Sequence, residues 1–163
     1  MRRDRLAIRI DRDDIGFAAA HFTIFSATER ECLHGHNFTV GAEMVAVQEE
    51  NGMVFDYRIL KTRLRELCAS LDEHLLLPAH SPHLQISRDE NNVVCQFGND
   101  RFLLPAQDVL LLELPNITLE ALAGWFLDQL LKTEGLPHEQ LAEISVSVAS
   151  SRVQQAHRRT TVS

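Results

Sequence analysis

The amino-acid sequence predicts an α+β fold in which two helices cover one face of a small antiparallel sheet of four strands. Two observations carry this prediction. Segments rich in β-forming residues open and close the chain, and two segments with helical spacing of leucines lie between them. The expected order is two strands, a helix, a β-rich insert, a second helix and two strands. Such a sheet has exposed edges, which proteins commonly cover by pairing with copies of themselves.

The strands are predicted from alternating polarity and from β-branched and aromatic residues. They cover, in chain order, residues 6–25 with a turn or bulge at 11–16, residues 36–47, a segment around Ile144, Val146 and Val148, and residues 155–161. The pair Asn51-Gly52 is a turn signal that ends the second strand.

Both helices are predicted from apolar residues that recur three and four positions apart. Asp56 can cap the first helix, because its carboxylate can accept hydrogen bonds from the amides of the first turn. Thr118 is the corresponding N-cap of the second helix, which ends at Gly135-Leu136-Pro137. The apolar faces consist of Leu60, Leu64, Leu67 and Leu71 in the first helix, and of Leu119, Leu122, Ala123, Phe126, Leu127, Leu130 and Leu131 in the second.

A β-rich insert separates the two helices, over about residues 84–113. Short apolar segments at 84–86, 93–97, 102–104 and 109–112 alternate there with turn signals at 89–92 and 98–100. The pattern is typical of one inserted β-hairpin or two. We expect the whole of residues 1–163 to form a single domain that carries this insert.

Composition excludes several classes of function. The 163 residues are 45% hydrophobic and 24% charged, as in an ordinary globular protein, and the net charge of −7 argues against general nucleic-acid binding. Basic pairs, Arg2-Arg3 and Arg158-Arg159, are expected to solvate the chain ends. No apolar run approaches the ~20 residues of a membrane span, so we expect no membrane partner. Three cysteines at unrelated spacings predict reduced thiols and a cytoplasmic location.

The sequence His34-Gly35-His36 is the most informative feature of the chain. Residues two apart in a strand point to the same face, so both imidazoles aim at one point. His21, in the apolar segment before them, is the natural third ligand of a zinc site with one open position, the mark of a catalytic zinc. The alternative for each histidine is an ordinary buried side chain with one satisfied hydrogen bond.

Five motifs, in this order, resemble the 6-pyruvoyltetrahydropterin synthase / 6-carboxytetrahydropterin synthase family. The motifs are Phe17-Ala18-Ala19-Ala20-His21, His34-Gly35-His36-Asn37-Phe38, Gly52-Met53-Val54-Phe55-Asp56, Leu71-Asp72 and Thr118-Leu119-Glu120. The resemblance covers nearly the whole chain apart from the insert. It implies a tunnelling fold (T-fold), in which subunits join their sheets into a barrel, commonly as a homohexamer of two stacked trimers.

The resemblance also implies a chemistry. Enzymes of this family act on 7,8-dihydroneopterin triphosphate, eliminating triphosphate and rearranging or cleaving the side chain. His21, His34 and His36 would hold Zn²⁺, which lowers the pKa of a bound hydroxyl and polarises a developing carbonyl. A nearby base must then remove a proton. Thr118, Glu120 and Ser150 are the candidates for binding the pterin substrate.

The candidate base departs from the family pattern. The usual catalytic cysteine, four or six residues before the first histidine of His-Gly-His, is replaced by Arg30 and Thr28. Glu31 resembles the subgroup in which a glutamate replaces that cysteine and a 6-hydroxymethyl pterin is the product. Strand parity instead favours Cys32, which would share the face of His34. We choose Glu31, because residues 26–31 have the composition of a loop, where alternation need not hold.

Two further departures concern the later motifs. The family's Asp-His pair reads Asp72-Glu73, with His74 displaced by one position. We keep Asp72 and His74 as catalytic candidates, although both can also be simple helix-end residues. The glutamate that anchors the pterin ring on a late strand is missing, since positions 149–151 are Ala, Ser and Ser. Without this acid the donors of a pterin would be poorly paired.

Three functions compete on this evidence. The leading one is a zinc-dependent lyase or synthase of pterin side chains, in an enzyme that assembles as a homo-oligomer with intersubunit active sites. The second is a family member that keeps the metal and the fold but has lost pterin turnover, serving as a binding or assembly protein; the missing anchor favours it. The third is a metal-dependent cupin oxygenase, which Glu43, seven residues past His36, and the two helices disfavour.

Overall fold

The computed structural model describes residues 5–47 and 52–162. The Arg2-Arg3 pair and Asn51 of the expected turn lie outside these ranges. The described strands are β1 (Arg5–His21), β2 (His34–Val47), β3 (His74–Pro78), β4 (Gln85–Arg88), β5 (Asn92–Phe97), β6 (Asp100–Pro105), β7 (Val109–Leu112), β8 (Leu141–Ala149) and β9 (Gln155–Thr161). The helices are α1 (Arg58–Leu71) and α2 (Leu119–Leu131).

The two longest strands of the main sheet, β1 and β2, pair antiparallel along their length. Their register runs from Arg5 opposite Val47 to His21 opposite His34, and shifts between Asp11 and Gly16. This irregularity confirms the expected bulge. The strands approach closely there, since a Cβ on Gly16 would lie 2.2 Å from the carbonyl oxygen of Phe38.

The prediction that the first strand continues to residue 25 is wrong, because β1 ends at His21. Phe22 and Ile24 instead bury their side chains in a second, smaller core under the insert. Beyond His21 the backbone forms an irregular loop, in which a single bridge joins Ile24 to Arg30.

The main sheet has six strands, in the order β7-β3-β1-β2-β8-β9, and it is mixed. The expected sheet of four antiparallel strands is therefore corrected: β3 pairs in parallel with β1, and β7 in parallel with β3. No strand was expected at β3, because Leu75-Leu76-Leu77 is a continuous apolar run. Such a run belongs to a strand buried on both faces, and it carries no alternation. Residues 109–112 were assigned to the insert, but they form β7 of the main sheet. They are also a continuous apolar run, which does not indicate which sheet the strand joins.

The insert proper is a three-stranded antiparallel sheet, in the order β4-β5-β6. Two successive hairpins build it, as the turn signals predicted. Its apolar side packs on the outer residues of β3 and on the chain that follows β1, through Leu75, Leu77, Leu84, Val93, Cys95 and Phe97.

The main core lies between the sheet and the two helices. Both predicted leucine faces are buried in one cluster with the inner residues of β1, β2 and β8. The N-cap of α2 agrees with the prediction, whereas the N-cap of α1 is Tyr57, without a side-chain capping bond, and Asp56 precedes it. The Asp56 carboxylate accepts from the Arg58 amide at 3.0 Å, and the Thr118 hydroxyl accepts from the Ala121 amide at 3.2 Å. Within the described ranges, no helix is long and apolar enough to cross a membrane.

Candidate metal centre and active site

Three histidines meet where β1 ends and β2 begins. His21 lies directly opposite His34 in the β1–β2 register, and His36 follows two positions along β2 on the same face. One nitrogen from each ring lies within 4.8 Å of those of the other two. His21 is 6% exposed, whereas His34 and His36 are half-buried. Strand geometry thus brings together the three predicted ligands.

Main-chain carbonyls hold two of these rings in a defined orientation. Nδ1 of His21 lies 3.0 Å from the carbonyl oxygen of Ile117, and Nδ1 of His34 lies 2.8 Å from that of Cys32. A carbonyl only accepts, so each Nδ1 donates its proton and each Nε2 is left with a lone pair.

The ring nitrogens of the three histidines converge, and two of them lie within hydrogen-bonding distance of each other. Nε2 of His34 lies 3.0 Å from Nε2 of His36. Nε2 of His21 is buried and has no hydrogen-bond partner among the described residues. Buried polar atoms normally have partners, so a metal ion beside the two other imidazoles would satisfy the orphaned Nε2 of His21. The donor set, three imidazole nitrogens, fits Zn²⁺ with one position open.

Electrostatics favour the neutral form of His21. Burial is the largest influence and lowers the pKa of His21 below its ordinary value, outweighing the hydrogen bond to Ile117. The neighbouring imidazoles lower it further. Neutral imidazole is the form that binds metal, so the site is prepared for an ion before one arrives.

Glu31 lies beside this cluster. Burial acts to raise the pKa of its carboxyl, but hydrogen bonds from the side chain and backbone of Thr23 outweigh this and hold the pKa below its usual range. Oε2 accepts from the Thr23 amide at 3.0 Å and lies 4.0 Å from Nε2 of His34. The Glu31 amide in turn donates to the Thr23 carbonyl at 2.9 Å. An ionised carboxylate is therefore held next to the candidate metal position.

Cys32 lies outside the cavity that contains the histidines. Its side chain is exposed, and β2 begins only at His34. The strand-parity argument that favoured Cys32 therefore has no physical basis, because the residue precedes the regular strand. Its main chain still contributes, since the Cys32 carbonyl orients His34.

Asp72 and His74 are not brought to the histidine cluster in this chain. Oδ1 of Asp72 accepts from the Ala18 amide at 2.7 Å, and Nδ1 of His74 donates to the Asp72 carbonyl at 2.6 Å. Glu73 between them has a positive φ of 59°. His74 lines a second cavity of about 610 Å³, together with Ala18, Ala19, Ala20, Gly35, His36, Asn37, Glu73 and Asp108. Most of the β1 and β2 residues in this group alternate with the histidines and so lie on the opposite face of the sheet, but His36 lines both cavities.

A cavity of about 730 Å³ opens at the three histidines. It is large enough for a drug-sized ligand. The substrate-binding candidates Thr118, Glu120 and Ser150 all line it, as does Glu31. Two glutamines, Gln154 in the β8–β9 connection and Gln155 at the start of β9, also line it at the end where the late-strand acid is missing.

Sequence reasoning missed Asn116, which joins the loop after β1 to the segment before α2. Its Oδ1 accepts from the Ile24 amide at 3.1 Å, and its Nδ2 donates to the Ile24 carbonyl at 2.8 Å. Asn116 thereby connects the loop after β1 to the segment that precedes α2. The next residue in that segment, Ile117, provides the carbonyl that orients His21. An asparagine two residues before a predicted helix N-cap was the available signal.

Comparison with known proteins gives the family. Residues 10–158 match the 6-pyruvoyl tetrahydropterin synthase family. The chain belongs to this family. The family excludes the cupin alternative and accounts for the order of the five motifs.

Similar proteins come from archaea and from malaria parasites. A provisionally named 6-carboxy-5,6,7,8-tetrahydropterin synthase of Pyrococcus abyssi is 32% identical over 81% of this chain and 78% of that protein. One from Methanocaldococcus jannaschii is 27% identical over 80% of this chain and 82% of that protein. The 6-pyruvoyl tetrahydropterin synthase of Plasmodium vivax superposes with a TM-score of 0.92 at 27% identity, over 98% of this chain and 99% of the other. That of Plasmodium falciparum gives a TM-score of 0.91 at 26% identity, over 97% and 99%.

The structural matches carry two further findings. Their coverage is too high to omit the three-stranded insert, so the T-fold likeness extends to the segment that the sequence resemblance left out. Two other Plasmodium vivax structures are variants in which a glutamate, described as the catalytic residue, is replaced by alanine or by cysteine.

Proposed function

We propose that this protein is a zinc-dependent lyase or synthase acting on the side chain of 7,8-dihydroneopterin or its triphosphate. The observation that carries the proposal is the convergence of three imidazole nitrogens beside an ionised Glu31, at the base of a cavity of about 730 Å³. Membership of a family of pterin synthases supports it.

His21, His34 and His36 would hold the zinc ion. When bound there, zinc supplies Lewis-acid chemistry that makes a substrate hydroxyl more acidic. The carbonyls of Ile117 and Cys32 keep the two Nδ1 protons turned away from the ion, and the His21 side chain is buried.

Glu31 is the base in this proposal. Thr23 keeps its carboxylate ionised and pointed toward the cavity, so it can accept a proton from the substrate side chain. The description of a glutamate as catalytic in the Plasmodium vivax enzyme supports this role. The glutamate form also favours cleavage to a 6-hydroxymethyl pterin over the product of cysteine-using enzymes.

The remaining roles follow from position. Thr118, Glu120 and Ser150 bind the pterin from the walls of the cavity. Asp72 and His74 are kept as catalytic residues acting from a second copy of the chain, because within one subunit they lie away from the histidines. We accordingly propose a homo-oligomer, a hexamer of two trimers, located in the cytoplasm, with residues 1–163 as one domain.

The test is incubation of the zinc-loaded protein with 7,8-dihydroneopterin and with its triphosphate, with products identified by mass spectrometry. A product that has lost or rearranged the side chain is expected from at least one of them. Unchanged substrate in both reactions would favour the second candidate, a metal-binding family member without turnover. The observation behind that candidate is the lack of an acid at positions 149–151.

A further inference from the structure

Arg30, the residue before the proposed base, extends from the active-site loop into the insert. Its side chain is only 16% exposed. The guanidinium carbon lies 5.4 Å from the ring centre of Phe22, 5.8 Å from that of Phe97 and 4.9 Å from that of Phe102. Arg30 is thus enclosed by one aromatic residue after β1 and two from β5 and β6. Guanidinium groups bind such ring faces favourably.

The polar ends of the same guanidinium connect the insert to the main chain of Glu31. Nη1 donates to the Glu31 carbonyl at 2.8 Å, and Nη2 donates to Oδ2 of Asp100 at 2.5 Å. The backbone bridge between Arg30 and Ile24 holds the loop from the other side. One side chain therefore joins the aromatic cluster, the turn at Asp100 and the peptide unit of the proposed base.

We propose that Arg30 is a positioning residue for Glu31, and that the three-stranded insert is part of the active-site scaffold. This inference rests on the proposed function. Glu31 lies in an irregular loop, where one bridge at Arg30 and one bond from the Glu31 amide to the Thr23 carbonyl order the backbone. Its carboxylate accepts from the Thr23 amide. Arg30 supplies the missing constraint at the Glu31 carbonyl. Holding a catalytic group in the productive geometry before substrate binds increases the reaction rate by a large factor. Small displacements of that group reduce the rate again.

Lysine cannot replace this arrangement. The planar guanidinium donates in two directions, toward the Glu31 carbonyl and toward Asp100, while its faces contact aromatic rings. A lysine ammonium is a compact charge without that fork. Arg30→Lys should therefore preserve packing and thermal stability better than it preserves the position of Glu31.

The experiment compares Arg30→Met, Arg30→Lys and Asp100→Asn with the control Arg101→Met, an exposed arginine on the same β6 strand. Hydrogen exchange is followed at the Thr23 and Glu31 amides in the zinc-loaded protein. In Arg30→Met we expect these amides to exchange about tenfold faster or more, with zinc content unchanged, and Arg101→Met to behave as wild type. Asp100→Asn, which keeps the arginine in its aromatic surroundings, should give a smaller effect and remains informative if Arg30→Met fails to fold.

Kinetics give the second readout. Arg30→Met should lower kcat by about 10- to 100-fold with little change in KM, and Arg30→Lys should recover the wild-type Tm but not the wild-type kcat. In a Glu31→Gln background, Arg30→Met should have no further effect, because a positioning residue acts only through the group that it positions.

The outcomes separate the two proposals. Wild-type exchange and kcat in Arg30→Met would overturn the positioning role, as would an equal loss of kcat with and without Glu31. If the wild-type protein turns over neither pterin, the proposed function fails, and the exchange measurements alone then decide whether Arg30 holds the Glu31 loop.

Discussion

The histidine cluster and the Asp72–His74 segment both contain groups that can bind metals or protons. In the first the side chains converge on one point, whereas in the second they bond to nearby backbone groups. Strand alternation places His21, His34 and His36 on one face, and their free nitrogens meet at one point. Oδ1 of Asp72 instead accepts from the Ala18 amide of β1, His74 donates to the Asp72 carbonyl, and neither residue lines the cavity that opens at the three histidines. One chain thus brings the proposed metal ligands together but leaves part of the proposed catalytic set elsewhere. The proposed active site therefore requires a second subunit to bring the two groups together.

The largest expected effect concerns the metal. We expect about one zinc per subunit, and replacing His34 or His36 by alanine should remove most of it, because two imidazoles rarely hold zinc tightly. Elemental analysis after dialysis against a mild chelator measures this. His83→Ala, at an exposed histidine outside the cluster, is the matched control. Stoichiometric zinc in both cluster variants would refute the assignment.

The next effect separates two adjacent residues beside the cluster. Glu31→Gln should lower turnover by about 10²- to 10⁴-fold with zinc retained, since it removes the proposed base and keeps its shape. Cys32→Ala should leave most activity, because the Cys32 side chain is exposed outside the cavity. Steady-state rates with dihydroneopterin decide between them, and the reverse pattern would make Cys32 the catalytic thiol.

A complementation experiment tests whether the two groups meet across subunits. Glu31→Gln and Asp72→Asn should each be nearly inactive alone, but assembling them together should restore about a quarter of the sites if each site takes residues from two chains. Asparagine is chosen because its carbonyl can still accept from the Ala18 amide. Light scattering provides the independent check. A mass near 18.5 kDa, or no recovery on mixing, would contradict the shared site.

The smallest effect is on stability. Burial lowers the pKa of His21 below its ordinary value of 6.5. At a pH just below 6.5, the His21 side chain therefore binds a proton in the unfolded chain but not in the folded, metal-free protein. Stability should therefore fall as the pH drops below 6.5, by up to about 1.4 kcal/mol per pH unit until the folded pKa is reached. Denaturant unfolding at pH 7.5 and pH 5.5 measures it. The decline should be smaller in His21→Gln than in the control His83→Gln, and equal declines would show that His21 is not its source.

The structure also shows why some contacts were beyond sequence analysis. The clustering of the three histidines, the N-cap of α2 and β9 agree with the expected positions, because each depends on residues near one another in the chain or on strand alternation. Placing Glu31 rather than Cys32 at the cavity depends on where β2 begins, and the contacts of Arg30 depend on an insert about seventy residues later in the chain. Neither can be obtained from local periodicity.

The sequence by itself determined which residues form the two helices, which alternate on β1 and β2, and so which three histidines share a face. These follow from the repeat of the backbone, 3.6 residues in a helix and 2.0 in a strand. Only the tertiary structure decided that β3 and β7 join the main sheet in parallel, that Asp72 and His74 lie apart from the histidines, and that the insert reaches Arg30. Those outcomes depend on the burial of continuous apolar runs and on side chains meeting across long sequence separations, which no local pattern records.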